Sequence, residues 1–144
     1  MRQLSNLNKL VYSRADQRLY FVESDGVNYF SIECRDAFFP GYNTDGLPRE
    51  SLPNGDYMCN AEPYPAENNA AYGTCYISDN DSRGRVIHGG GSGLADSMAD
   101  EQGWYPTLGC LRVQNGPGRV LSEAIIEAGN AVPLTVREEH YGAA

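Results

Sequence analysis

Only one stretch of this chain carries a helical period, and that limits the fold more than any other feature. Val120, Leu121, Ala124, Ile125 and Ala128 recur on one apolar stripe, and Gly129 is placed to end it. The spacing predicts a helix near residues 119–129. Most of the remainder reads as short β-rich runs between turn signals. Residues 10–13 and 18–23 are two such runs. Ser24-Asp25-Gly26 then leads into 27–34, so the second and third runs read as a hairpin. Further runs fall at 55–60, 73–78, 85–88 and 131–136. Pro133 suggests an edge position or a bulge for the last of them. The fold class is therefore mainly β, a sandwich or barrel of mixed strands with one or two helices.

At 144 residues the chain has the size of one domain, read here as 1–144 with a core over about 10–136. Its 16 glycines and 10 tyrosines suit a β-rich, turn-rich architecture. The net charge of −8 argues against a nucleic-acid partner, which needs a basic face. Lys9 is the sole lysine, so no polybasic membrane patch is available. No run approaches the ~18 apolar residues of a membrane span. The polar start, residues 1–9, does not read as a secretory signal. The expectation is a protein made in the cytoplasm that stays there or leaves by a route without a cleaved signal, unless an upstream segment has been lost.

Two loops interrupt the runs. Residues 35–54 hold Pro40-Gly41, Asp45-Gly46, Pro48 and Pro53-Asn54, and a connection this long is usually functional or flexible. Residues 62–71 are rich in Pro, Asn and Ala. The tail, 138–144, reads as frayed, with His140 a solvated histidine.

The four cysteines, Cys34, Cys59, Cys75 and Cys110, lack CxxC spacing, which disfavours a zinc ribbon or thioredoxin-like motif. The first three read as small apolar fillers. Cys110 is different. It follows Gly109 in Thr107-Leu108-Gly109-Cys110-Leu111-Arg112-Val113, where glycine permits a tight turn with exposed backbone. Upstream stands Val86-Ile87-His88-Gly89-Gly90-Gly91. A cysteine nucleophile needs a base and backbone N–H groups for the developing oxyanion. These two segments contain both, but chemistry alone leaves the His88–Cys110 pair equally readable as structural.

Together the segments resemble the L,D-transpeptidase (YkuD-like) signature: a His-Gly, a spacer, then Ser/Thr-His-Gly-Cys-apolar-Arg/Asn. Leu52-Pro53-Asn54-Gly55-Asp56-Tyr57, Arg18-Leu19-Tyr20-Phe21-Val22 and the segment 118–136 resemble further parts of that family. The resemblance implies a YkuD-like fold and attack by Cys110, with His88 as base, on peptidoglycan stem peptides. It implies that the Gly89 carbonyl fixes the imidazole tautomer and that the N–H groups of Gly109 and Cys110 hold the oxyanion. Arg112 would pair with a stem carboxylate, although a structural salt bridge reads equally well. From their place just before the cysteine, Trp104, Tyr105 and Thr107 read as lining the substrate groove, with core packing an equal reading for Trp104 and Tyr105. The resemblance implies transpeptidation or L,D-carboxypeptidation in the periplasm or cell wall, with no cofactor and no metal.

Two departures stand out. Leu108 replaces the family's second histidine, and 21 residues separate His88 from Cys110. Divergent members delivered between bacteria by type VI secretion resemble this chain in lacking that histidine. This favours a delivered antibacterial effector or phage-borne enzyme, with a secretion apparatus and an immunity protein as partners. The alternative is a binding module for cell-wall peptide whose chemistry has decayed.

Other motifs carry less. Residues 79–84 superficially match the start of an EF-hand loop, but Arg83 occupies a ligand position, so a hairpin turn is the reading. The glycines after His88 lack the Lys-Ser/Thr of a phosphate loop and read as a flexible loop. Asp96, Asp100 and Glu101 read as a solvated face.

Overall fold

The computed structural model describes residues 7–27, 29–63 and 70–142. Most of the second loop read from the sequence, 62–71, thus lies outside the described residues. Eight strands close into a barrel: β1 (Leu7–Ser13), β2 (Arg18–Glu23), β3 (Tyr29–Arg35), β4 (Gly55–Ala61), β5 (Tyr76–Ser78), β6 (Ile87–His88), β7 (Leu111–Val113) and β8 (Val132–Arg137). Their order around the barrel is β1-β2-β3-β7-β6-β5-β4-β8. The β1–β8 and β6–β7 pairs are parallel, and the other six are antiparallel. Closure leaves no open edge, which answers the Pro133 question: Pro133 stands opposite Met58 in the β4–β8 ladder.

The interior is filled from alternate positions of the strands and one helix face. Leu10, Tyr12, Leu19, Phe21 and Leu134 are fully enclosed, as are Leu121 and Ile125 of the helix. Burying each aliphatic side chain of this size contributes roughly 1.5–3 kcal/mol before conformational entropy is counted. Cys34, Cys59 and Cys75 are buried, unpaired thiols within this core.

The helix, α1 (Asn115–Glu127), begins a full turn earlier than its sequence period indicates. Pro117 fits because first-turn N–H groups have no intrahelical acceptor. The far end is a Schellman motif: Asn130 N–H donates to the Ile125 carbonyl and Gly129 N–H to that of Ile126. Gly129 has φ +103, a region that favours glycine. Asn130 then bonds both backbone groups of Ala61, tying the helix end to β4.

The long 35–54 loop is pinned along the barrel mouth. Phe38 bridges to Thr107, Leu52 is fully buried, and the Leu52 N–H donates to the Gly109 carbonyl at 3.0 Å. The tail is not frayed through residue 142. His140 bonds the Asp16 carboxylate and Tyr141 stacks on Tyr20.

Candidate active site

The parallel β6–β7 pair brings the two signature segments together. Ile87 stands opposite Leu111 and His88 opposite Arg112, so Cys110 sits at the entry to β7 beside the residues preceding His88. Its half-buried thiol accepts the Val86 N–H at 3.4 Å, while the Leu111 N–H donates to the Val86 carbonyl at 3.0 Å. Thr107 staples the turn before it. Its hydroxyl donates to the Cys110 carbonyl at 2.8 Å and accepts the Gly109 N–H at 2.9 Å. That second bond occupies one of the two N–H groups expected to face an oxyanion. The Cys110 N–H has no partner among the described residues. Gly109 is required here, because at φ +134 a Cβ would lie 2.5 Å from the Glu50 carbonyl oxygen.

His88 is buried, and its Nδ1 lies 2.7 Å from the Gly89 carbonyl oxygen. A carbonyl only accepts, so Nδ1 carries the proton and Nε2 keeps its lone pair. Tyr72 meets the ring edge-on at 5.1 Å. Burial pushes the imidazole pKa down to about 4, with the Arg112 charge lowering it further against the Gly89 hydrogen bond. Burial also pushes the Cys110 thiol up, against the Val86 N–H and the Arg112 and Arg85 charges. No hydrogen bond joins thiol to imidazole. Both shifts favour a neutral thiol beside a neutral imidazole over a pre-formed thiolate.

His88, Cys110, Tyr105, Thr107 and Arg112 line one cavity of about 340 Å³, together with Tyr72 and Phe39, which the sequence does not mark. Arg112 is buried beneath it. Its guanidinium donates to the carbonyls of Gly89 at 2.6 Å and Tyr105 at 2.7 Å. It thus braces the carbonyl that holds His88. Trp104 lies apart: it borders a separate cavity beside Glu33 and Glu101, with the Arg35 guanidinium 4.2 Å over its ring. Leu108, in the second histidine's place, is 55% exposed on the rim.

Gly89, Gly90 and Gly91 are buried packing points where a flexible loop was expected, and only from Ser92 does the run become exposed. A Cβ on Gly89 would fall 2.1 Å from Asn115 Oδ1, and one on Gly90 2.4 Å from the Gly73 nitrogen. Asn115 organises this region from the helix start. Its Oδ1 accepts the Thr74 and Gly90 N–H groups, and its Nδ2 donates to the Ser97 and Ala99 carbonyls. No group of three or more His, Cys, Asp or Glu among the described residues is arranged to hold a metal. None of the described helices is long and apolar enough to cross a membrane.

No protein-family model matches the chain, and no curated protein does. Solved structures do. The L,D-transpeptidase (residues 123–326) from Xylanimonas cellulosilytica DSM 15894 matches with TM-score 0.58 and 20% identity, over 91% of this chain and 61% of that one. Bd1075 of Bdellovibrio bacteriovorus matches with TM-score 0.61 and 15% identity, over 92% of this chain and 48% of that one. The helical cell shape determining protein Pgp2 from Campylobacter jejuni matches with TM-score 0.56 and 19% identity, over 93% and 48%. The fold is that of an L,D-transpeptidase domain. This chain spans about half to three fifths of the length of those solved chains.

Proposed function

We propose that this chain is a cysteine-dependent peptidoglycan L,D-transpeptidase or L,D-carboxypeptidase. The observation that carries the reading is one cavity holding the Cys110 thiol and a His88 whose Nδ1–H is committed to Gly89, which leaves Nε2 as the base. The fold shared with an L,D-transpeptidase supports the substrate class.

The chemistry follows from the neutral resting pair. A stem peptide enters with the carbonyl of its diamino acid over Cys110. His88 Nε2 takes the thiol proton as sulfur attacks the carbonyl carbon, and the oxyanion forms against the Cys110 N–H. The Arg112 and Arg85 charges favour the negative charge that develops on sulfur as its proton leaves. The C–N bond to terminal D-alanine breaks, and the imidazolium returns its proton to the leaving amine. The resulting thioester is resolved by water to a trimmed stem, or by an amine of a second stem to a cross-link. Both routes restore the thiol.

Incubation with a tetrapeptide stem should release D-alanine and give a Cys110 adduct by mass spectrometry, with both lost in Cys110→Ala. Equal inertness of wild type and variant across several muropeptides would sink the reading. A second reading, a peptide-binding module without chemistry, is favoured by the raised thiol and by Leu108. It predicts stem binding with no adduct. For a delivered effector, harm to cells should appear on export to the periplasm and vanish in Cys110→Ala.

A further inference from the structure

A second cavity, of about 370 Å³, also opens on Cys110 and Leu108. It lies toward Tyr42, Asn43, Arg49 and one carboxylate, Asp45, of the long loop, and toward Arg83 and Arg85 of the β5–β6 turn. In a chain of net charge −8, three arginines converge there. They are not equally engaged. Arg85 is consumed by Asp81, through Nε at 2.8 Å and Nη2 at 3.1 Å. Arg83 donates to the Pro48 carbonyl, and its ion-pair partner Asp45 stands at the 4.0 Å limit. Arg49 has no carboxylate within ion-pair distance among the described residues.

Arg49 is nevertheless held in place. Its Nε donates to Asn43 Oδ1 at 3.0 Å and its Nη1 to the Pro40 carbonyl at 3.2 Å, leaving Nη2 without a partner among the described residues. The loop is closed beneath it: the Arg49 N–H donates to the Gly41 carbonyl and the Asn43 N–H to that of Leu47. A guanidinium fixed in this way, with one edge open, is preorganised to accept a carboxylate.

The chemistry decides which part of the substrate goes there, a step that rests on the catalytic reading above. His88 must return a proton to the leaving amine, so the leaving residue occupies the His88 cavity. The acyl half then extends to the other side of sulfur. We propose that this second cavity is a carboxylate subsite for the acyl half of the stem. Arg49, supported by Arg83, selects donors with a free side carboxylate on the residue before the diamino acid over donors carrying its carboxamide.

The test uses paired synthetic tetrapeptide stems, identical except for that carboxylate or carboxamide. Binding is measured on Cys110→Ala and turnover on the active chain. The acid stem should bind about 10–100-fold more tightly than the amide, the span of a charge-assisted pair. Arg49→Ala should erase the preference by weakening the acid stem alone, through KM with kcat little changed. Arg49→Lys, which keeps charge without the fork, should recover part of it. Equal binding of the two stems, or equal loss of both in Arg49→Ala with unchanged circular dichroism, overturns the subsite. If the acid preference and its Arg49 dependence persist while no stem is turned over, the subsite stands and the catalytic reading falls.

Discussion

At the scale of single residues, two buried titratable groups act on stability in opposite directions. His88 has its pKa pushed down to about 4, so the unfolded chain binds the extra proton between pH 6.5 and 4. Its contribution is present above 6.5 and lost as pH falls to 4, a span of about 3 kcal/mol. Asp79 behaves in reverse. Its Oδ1 accepts the Asp81 N–H, while its Oδ2 is buried with no partner among the described residues. Burial raises its pKa to about 6, so stability falls as pH rises from 3.8 to 6. Between pH 4 and 6 the two slopes oppose each other. Asp79→Asn keeps the Oδ1 acceptor and removes the buried charge, so it should stabilise the protein at pH 8 by about 1–3 kcal/mol and little at pH 4. Urea unfolding at both values decides this, and an equal or lower midpoint at pH 8 refutes it. The ionised Asp79 also raises the Cys110 thiol, so the variant should alkylate faster at Cys110 above pH 6. Asp79 was readable in the sequence only as a turn residue. Its burial depends on how β5 meets β4, and no local pattern encodes that.

At the scale of elements, α1 shows how a packing demand can resemble a break. Gly116, Pro117 and Gly118 add nothing to the apolar stripe, which is why the sequence period starts the helix late. In the structure Gly118 faces the core, and a Cβ there would lie 2.8 Å from Cys75 Cβ and 2.9 Å from its sulfur. Helix propensity favours Gly118→Ala by about 1 kcal/mol, whereas overpacking a filled core costs about 1–3 kcal/mol. Packing should win, so Gly118→Ala should lower the urea midpoint; a raised midpoint would mean that the core yields at Cys75. The strand β7 was illegible for a related reason. All three of its residues are buried, so neither alternation nor length marks it. By contrast β2 and the β2–β3 hairpin carry β-branched and aromatic residues around an Asp-Gly turn and were readable outright. The signature segments could be found because glycine and cysteine chemistry is local. Tyr72, Phe39, Arg49 and Asn115 join the site through tertiary approach, and Trp104 borders a different cavity from its chain neighbour Tyr105, which adjacency in sequence does not reveal.

For the whole molecule, the barrel is closed by strands from its two ends, since β1 runs parallel to β8. A parallel ladder between segments this far apart in sequence gains nothing until the chain between them has folded. The segment after β8 reinforces that closure. The Arg14 and Ala15 N–H groups donate to the Arg137 and Glu138 carbonyls, and the Ser13 hydroxyl donates to that of Glu139 at 2.7 Å. Asp16 collects the Tyr141 N–H, the Tyr20 hydroxyl and the His140 ring, and these bonds hold its carboxyl below the usual carboxylate range. Tyr141 covers Tyr20 with ring centroids 4.3 Å apart. The sequence suggests a loose tail because each of these partners lies more than a hundred positions away. Tyr141→Ala should cost about 1 kcal/mol through the lost ring pair, or roughly 3–5 °C in Tm. Amide exchange should rise first at residues 14–15 and along β1 and β8, while α1 stays protected. Asp16→Ala should show the same pattern, and the difference from wild type should shrink as pH falls below 3.8, where the opened chain's carboxyl takes up a proton that the native one resists. Uniform acceleration across the barrel in Tyr141→Ala would mean that the tail supports global stability without specifically clasping the β1–β8 seam.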